Sequence, residues 1–281
     1  AWDVWAAKAL VWQTGWADCW RKEAGRKTCL TSRLGPMGGF CIKESKPVES
    51  NDEMSSGVAK AIAAGIGPHS SVVDFGCGFG QYGKYFQHEK ASVGNINWTG
   101  FDGSEGIEEA TGGFVHFHDL SEPRYLGMRQ WVMTIEVAEH LPRRLEPFFL
   151  YHLHRHNQKG VVLSWAVPRQ GGYGHVNERS NQYVICVMER LLGYRYSSKD
   201  SRRVRLGVRR QKIHHRWAWV AGWLRKTVMV FCRRQDNTSA GSWSTQLIES
   251  AEATMPSKPS TLAAFTEAYF QAVQRAGCDR L

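Results

Sequence analysis

The chain has 281 residues, of which 42% are hydrophobic and 22% charged, proportions ordinary for a soluble globular protein with a substantial core. No apolar run approaches the roughly 18–20 residues needed to cross a bilayer, so no membrane-spanning helix is expected. The formal charge of +10 is local rather than global: eight basic residues against Asp200 between Lys199 and Arg216 supply +7 of it.

Seven cysteines are too few and too scattered for a disulfide scaffold, and no C-x-x-C pair points to zinc. Cys19, Cys29 and Cys41 cluster near the start, where a bridge is conceivable. The compartment stays open. A cytoplasmic default stands beside a secretory-lumen alternative, which that cluster and the absence of a first methionine would permit.

Residues 1–50 read as an N-terminal cap. Trp5, Trp12, Trp16 and Trp20 fall on one helical face, either as a stripe packed on the main body or as a lid whose indoles enclose a substrate. From Asn51-Asp52-Glu53 a helix is expected through Val58, Ile62 and Ile66, closed by Gly67-Pro68. Strands are then expected at 71–75, 98–102, 114–118, 131–135, 161–165, 194–196 and 227–231, with helices between most of them. Strands alternating with helices imply an α/β fold with a mainly parallel sheet, covered on both faces and binding its ligand at the strands' carboxyl ends. The main domain is expected over 51–235, followed over 236–281 by a polar linker and a C-terminal amphipathic helix through Leu262, Phe265, Tyr269 and Val273.

The stretch Val72-Val73-Asp74-Phe75-Gly76-Cys77-Gly78-Phe79-Gly80 organises the rest. An apolar strand ends in an acid and a loop with glycine at every second position, where backbone can approach a ligand. Acids recur at later strand ends as Asp102, Asp119 and Glu136. Asp102 lies 22 residues past Gly80, a separation that suits a carboxylate accepting ribose hydroxyls. No G-K-[ST] ending follows the glycines, which argues against a phosphate-binding loop. Acids around a nucleoside suit a ligand that carries ammonium and sulfonium charge.

The order VVDFGCGFG, GFDGS, HDL, EVAEH and TVMVF resembles the class I S-adenosylmethionine-dependent methyltransferases, over roughly Asp52 to Arg234. The resemblance implies a Rossmann-like seven-stranded sheet with its last strand antiparallel between the fifth and sixth. It implies S-adenosylmethionine as cofactor and S-adenosylhomocysteine as product. Gly76, Gly78 and Gly80 would approach the methionine and ribose, Asp102 the ribose hydroxyls, Asp119 with Leu120 the adenine, and Asp74 or Glu136 the methionine ammonium. Loop bracing is the plainer role for the last two.

Candidate bases are Glu139, His140 and His175, the last in a loop with glycines at 171, 172 and 174 beside Tyr173. His175 is either a substrate anchor or base, or a buried histidine fixing its loop. Trp16, Trp20, Tyr173 and His175 are the expected substrate contacts, and Asn177 reads as a helix N-cap. Two histidine pairs, His116 with His118 and His152 with His156, could converge. Without H-E-x-x-H or a cysteine partner, no metal is expected. The basic stretch 199–216 reads as an amphipathic helix with Val204, Val208 and Ile213 inward, or as a docking surface for RNA or protein. The leading expectation is methyl transfer to N or O of a small molecule. The rivals are a macromolecular methyltransferase docking through 199–216 and a non-catalytic cofactor-binding scaffold. The oligomeric state is not legible.

Overall fold

A computed structural model describes residues 54–208, 221–234, 242–253 and 259–281, with the backbone of two short hairpins, Lys22–Glu23 with Arg26–Lys27 and Arg210–Ile213 with Arg216–Trp219. Apart from the first hairpin, the expected N-terminal cap lies outside the described residues, Trp16 and Trp20 included. In chain order come α1 (Ser56–Ile66), β1 (Ser71–Phe75), α2 (Gln81–His88), α3 (Lys90–Val93), β2 (Asn97–Asp102), α4 (Ile107–Thr111), β3 (Val115–Phe117) and β4 (Arg129–Thr134). There follow α5 (Glu146–Arg155), β5 (Asn157–Leu163), α6 (Asn181–Cys186), β6 (Tyr194–Tyr196), α7 (Ser198–Gly207), α8 (Leu224–Thr227), β7 (Met229–Arg233), α9 (Ser242–Ala253) and α10 (Pro259–Arg275). No described helix is long and apolar enough to cross a membrane.

Seven strands form one sheet in the order β3-β2-β1-β4-β5-β7-β6. β1 to β5 pair in parallel, and β7 lies antiparallel between β5 and β6. Alternation along the strands divides the core in two. Val73, Phe75, Val161, Leu163, Met229 and Phe231 pack with α5, α6, α9 and α10. Val72, Val162 and Val230 face the opposite way, toward α1, α2 and α7. Both faces are therefore covered, which is why the central strands read as continuous apolar runs.

The structure moves several expected boundaries. α1 is capped by Ser55, whose hydroxyl accepts from the Val58 N–H at 3.4 Å, and not by Asn51-Asp52-Glu53. α6 starts behind Ser180, which caps the Tyr183 N–H, and it passes into a wide π-type turn over Val187–Leu191. Asn177 is thus not a cap. It is buried and donates to Glu146 at 3.3 Å. α7 stops at Gly207 instead of running on to Arg216, and Arg210–Ile213 pairs antiparallel with Arg216–Trp219. Val204 and Val208 are buried as expected, Arg202 and Arg203 are exposed, and the side chain of Ile213 lies outside the described residues. β7 begins at Met229 because Leu224–Thr227 closes a helical turn first.

Within the expected linker, residues 242–253 form α9. Its apolar residues are sparse, yet Leu247 and Ala251 are fully buried and Trp243 meets the Tyr269 ring edge-on at 5.5 Å. α10 packs on the same face through Phe265, Tyr269 and Val273.

Candidate active site

β1 ends at Phe75, and the chain turns through Gly76, Gly78 and Gly80 with φ of 71°, 56° and 74°. These left-handed conformations favour glycine. At Gly76 a side chain would also strike Val137, with its Cβ only 2.4 Å from a methyl carbon. The loop is fastened to the end of β2. Gly76 and Cys77 N–H groups donate to the Phe101 carbonyl at 2.8 and 3.2 Å, and the Gly78 N–H donates to Asp102 Oδ2 at 2.7 Å. Asp102 Oδ1 accepts from Ser104 N–H at 2.9 Å, so both carboxylate oxygens are oriented while each keeps a free lone pair. α2 then starts without a side-chain cap.

Asp74 lies beneath this loop, 2% exposed, and accepts from Trp98 Nε1–H at 3.2 Å. Burial raises its pKa well above the ordinary carboxyl value, against the lowering effect of the indole bond. Its bond braces β1 against β2. Tyr82, on the first turn of α2, has its phenol pKa raised by burial and by the charges of Asp74 and Glu136. Asp119 Oδ1 accepts from Ser121 N–H at 2.8 Å and leaves its carboxylate half-exposed beside buried Leu120.

A second group assembles past the ends of β4 and β5. Glu136 adopts φ 57°, rare for a residue with a side chain. Ser164 holds it there: the Glu136 N–H donates to Ser164 Oγ at 2.7 Å, and that hydroxyl donates back to Glu136 Oε1 at 2.7 Å. Gln170 Nε2 donates to the other oxygen at 3.2 Å. Glu139, one turn on, is fully buried. Burial first, then the neighbouring Glu136 charge, raises its pKa. His140 and His175 meet edge to face at 5.0 Å, and burial lowers His140 to about 4. The loop that carries His175 is fixed by its own backbone, since Val176 and Asn177 N–H groups donate to the Glu139 carbonyl at 2.8 and 3.0 Å. Glu178 accepts from the N–H groups of Arg169 and Gly171 and from His175 Nδ1 at 3.3 Å. Tyr173, 60% exposed, stands on the outside of this loop.

The arrangement places a glycine turn, held by the neighbouring strand's carboxylate, where the strand order reverses between β1 and β4. The antiparallel β7 completes the pattern. The chain has the class I S-adenosylmethionine-dependent methyltransferase fold. No protein-family model and no curated protein matches it. Among solved structures it is similar to magnesium protoporphyrin IX methyltransferase from Synechocystis PCC 6803 with bound S-adenosylmethionine, at 18% identity over 63% of this chain and 76% of that one, TM-score 0.40. TehB from Haemophilus influenzae is similar at 13% identity over 64% and 62% of the two chains, TM-score 0.43. Phosphoethanolamine N-methyltransferase 1 from Haemonchus contortus is similar at 13% identity over 73% of this chain and 47% of that one, TM-score 0.44. These are likenesses of chain course alone.

In this methyltransferase fold, Asp74, Gly76, Gly78, Gly80 and Asp102 gather at one strand edge, and Glu136, Glu139, His140 and His175 gather beside them. The two histidine pairs do not converge as pairs. His116 is exposed opposite Glu108 at 3.8 Å, while His118, His152 and His156 surround Phe75 inside the core. Ser164, Gln170, Tyr82 and Glu178 were not legible as site residues. Ser164 carried a usable signal, a hydroxyl ending an apolar strand, whereas Gln170 and Glu178 act through loop geometry that sequence spacing does not encode.

Proposed function

We propose that this chain transfers the sulfonium methyl group of S-adenosylmethionine to nitrogen or oxygen of a small-molecule acceptor, releasing S-adenosylhomocysteine. The observation that carries this reading is the Asp102 carboxylate, oriented by Gly78 and Ser104 N–H groups at the open end of β2. Its remaining lone pairs accept the two ribose hydroxyls, while the left-handed glycines bring bare backbone to the methionine and ribose. Asp119 accepts from the adenine amino group and Leu120 lies against the ring. Glu136 offers negative charge to the methionine ammonium, whereas Asp74 engages Trp98 and braces the loop.

Methyl transfer is an in-line displacement in which sulfonium charge disperses, so alignment and exclusion of water supply most of the acceleration. A hydroxyl or ammonium acceptor must also lose a proton. His175 suits that task, because Glu178 fixes its Nδ1 and leaves Nε2 to act as base. Glu139 and His140 shape the pocket behind it, and Tyr173, with Trp16 and Trp20 of the N-terminal segment, contacts the acceptor. Support for oxidising surroundings, the secretory alternative, comes from the bridge between Cys186 and Cys278.

Calorimetry with S-adenosylhomocysteine tests the reading. Asp102→Ala should weaken binding by about 10–100-fold, the equivalent of hydrogen bonds to a charged group. Asp102→Asn still accepts from the Gly78 N–H, so it separates loop bracing from ribose recognition: it should hold the fold and still bind weakly. Full affinity in Asp102→Ala, or no binding by wild type, overturns the proposal.

A further inference from the structure

Two fully buried glutamates in this molecule are treated in opposite ways. Glu146, 1% exposed, is surrounded by donors: Arg179 Nη2 and Nε at 2.7 and 3.1 Å, Tyr269 Oη at 2.6 Å, the Tyr183 hydroxyl, and Asn177 Nδ2 at 3.3 Å. Glu139, 0% exposed, has no partner at full hydrogen-bond geometry on either carboxylate oxygen, and only its own N–H and that of Ala166 act on it as donors from the backbone. A second carboxylate, Glu136, lies close enough to repel it. Among the described residues no lysine or arginine forms an ion pair with Glu136 or Glu139. A buried carboxylate so weakly satisfied costs several kcal/mol, roughly, and natural structures normally satisfy such groups.

What does face Glu139 is a pair of imidazoles. One carboxylate oxygen of Glu139 and one ring nitrogen each of His140 and His175 all lie within 4.8 Å of one another. We infer that Glu139, His140 and His175 form a binding site for one divalent first-row transition ion of the zinc class. Two imidazoles and one carboxylate are the donor set such ions prefer, and three protein ligands leave a coordination position open. Bonds of about 2.0–2.2 Å need side-chain movements on the order of 1 Å from the present positions.

The surroundings are built to hold these ligands. Glu178 takes His175 Nδ1 and is itself gripped by two backbone N–H groups, the outer support that orients metal-bound histidines. That leaves Nε2 as the nitrogen free to bind, and only glycine at 172 fits beside it: a Cβ there would sit 2.2 Å from this nitrogen. The backbone bonds from Val176 and Asn177 to the Glu139 carbonyl fix the His175 loop to the segment carrying the other two ligands. Glu136 adds a second negative charge beside the ion, with Ser164 and Gln170 holding it.

The site stands without reference to methyl transfer. Its use, however, rests on the reading above: the open position takes the hydroxyl of an oxygen acceptor. With the ion bound, His175 Nε2 is a ligand and gives up the role of base: the ion lowers the hydroxyl's pKa and its proton leaves to water. The oxygen then forms its bond to the methyl carbon as the C–S bond breaks, and neutral S-adenosylhomocysteine departs.

The test uses the full chain, stripped with chelator and then dialysed against zinc or cobalt(II), with bound metal counted by elemental analysis and cobalt(II) followed by its visible absorption. Wild type should hold about one ion per chain with a tetrahedral cobalt signature. Glu139→Gln and His175→Asn should each weaken binding by more than the roughly 10–100-fold that loss of an outer-shell partner costs. His116→Asn, on the exposed strand end, should leave it unchanged. S-adenosylhomocysteine affinity, measured on the same samples, reports folding and separates the two proposals. Cofactor binding without metal sinks the metal site alone, and metal binding without cofactor sinks the methyltransferase reading alone. If either ligand variant fails to fold, wild type decides: zinc should protect His175 from acylation by diethylpyrocarbonate, mapped by mass spectrometry. An unprotected His175, or retention of metal in both ligand variants, overturns the inference.

Discussion

Histidines in this molecule are sorted by whether water reaches them. His156 donates from Nδ1 to the His152 carbonyl at 2.9 Å and accepts from Leu126 N–H on Nε2 at 2.9 Å, so both nitrogens are committed to the neutral ring. His118 and His152 approach through their Nε2 atoms at 3.5 Å, one donating to the other. Burial pushes His118 and His156 down to about 4 and His152 well below the ordinary value. A base whose folded pKa lies below its unfolded one is neutral in the fold, while the unfolded chain binds the extra proton. Stability is therefore complete above about 6.5 and is lost as pH falls toward 4. Each of His118 and His156 contributes on the order of 3 kcal/mol to that slope. His118→Asn removes one such site, so its thermal midpoint should fall less steeply than wild type between pH 6.5 and pH 4, roughly the interval between the two pKa values. Parallel slopes would refute the assignment. The sequence shows the spacing that brings these rings together, but not that His116 turns outward to Glu108 while His118 turns in. Strand periodicity predicts a shared face only while the strand continues, and β3 stops at Phe117.

At the scale of elements, the sheet and the glycine turn were readable because strand periodicity and the acids at strand ends are local patterns. Helix contacts were not, since they depend on which residues meet across the fold. Gly57 and Gly207 both look like helix breakers, yet they are where α1 and α7 cross. A Cβ on Gly57 would lie 2.0 Å from the Gly207 carbonyl oxygen, and one on Gly207 would lie 2.4 Å from the Gly57 oxygen. Neither neighbour is a flexible side chain that could move aside. Gly57→Ala should cost about 1–3 kcal/mol through forced separation of the helices. Gly65, in the same helix, has nothing within 4 Å of its would-be Cβ. Gly65→Ala should therefore gain about 0.5–1 kcal/mol from helix propensity alone. Urea unfolding of the two variants checks both signs at once. A neutral Gly57→Ala would mean that α7 does not pack on α1 as described. α9 illustrates the same limit, because its polar composition hides two residues, Leu247 and Ala251, that matter only once α5 is beside them.

Across the whole molecule, the C-terminal segment is joined to the core at several points. Cys186 and Cys278 form a disulfide across a sequence separation of 92. Arg190 Nη1 donates to the Ala276 carbonyl and Ser180 Oγ to the Leu281 carbonyl, each at 2.6 Å. The Tyr269 hydroxyl of α10 reaches Glu146, the same carboxylate that takes Asn177 and Arg179 from the chain just past His175. The terminal helix thus braces the His175 loop through one buried glutamate, whereas the glycine turn is fastened independently by β2. A bridge closing a loop of this length restricts the unfolded chain by about 4–5 kcal/mol in the chain-entropy account, with about 2–4 typical of measurement. Reductant should lower the thermal midpoint of wild type and leave that of a Cys186→Ser, Cys278→Ser double variant unmoved. The double variant should still bind S-adenosylhomocysteine within about twofold of wild type, because sites without shared partners are nearly additive. Turnover should fall further than binding, since the loosened α10 reaches the His175 loop through Glu146. Equal losses of cofactor affinity and turnover would mean that the terminal helix supports the whole body and has no particular hold on that loop.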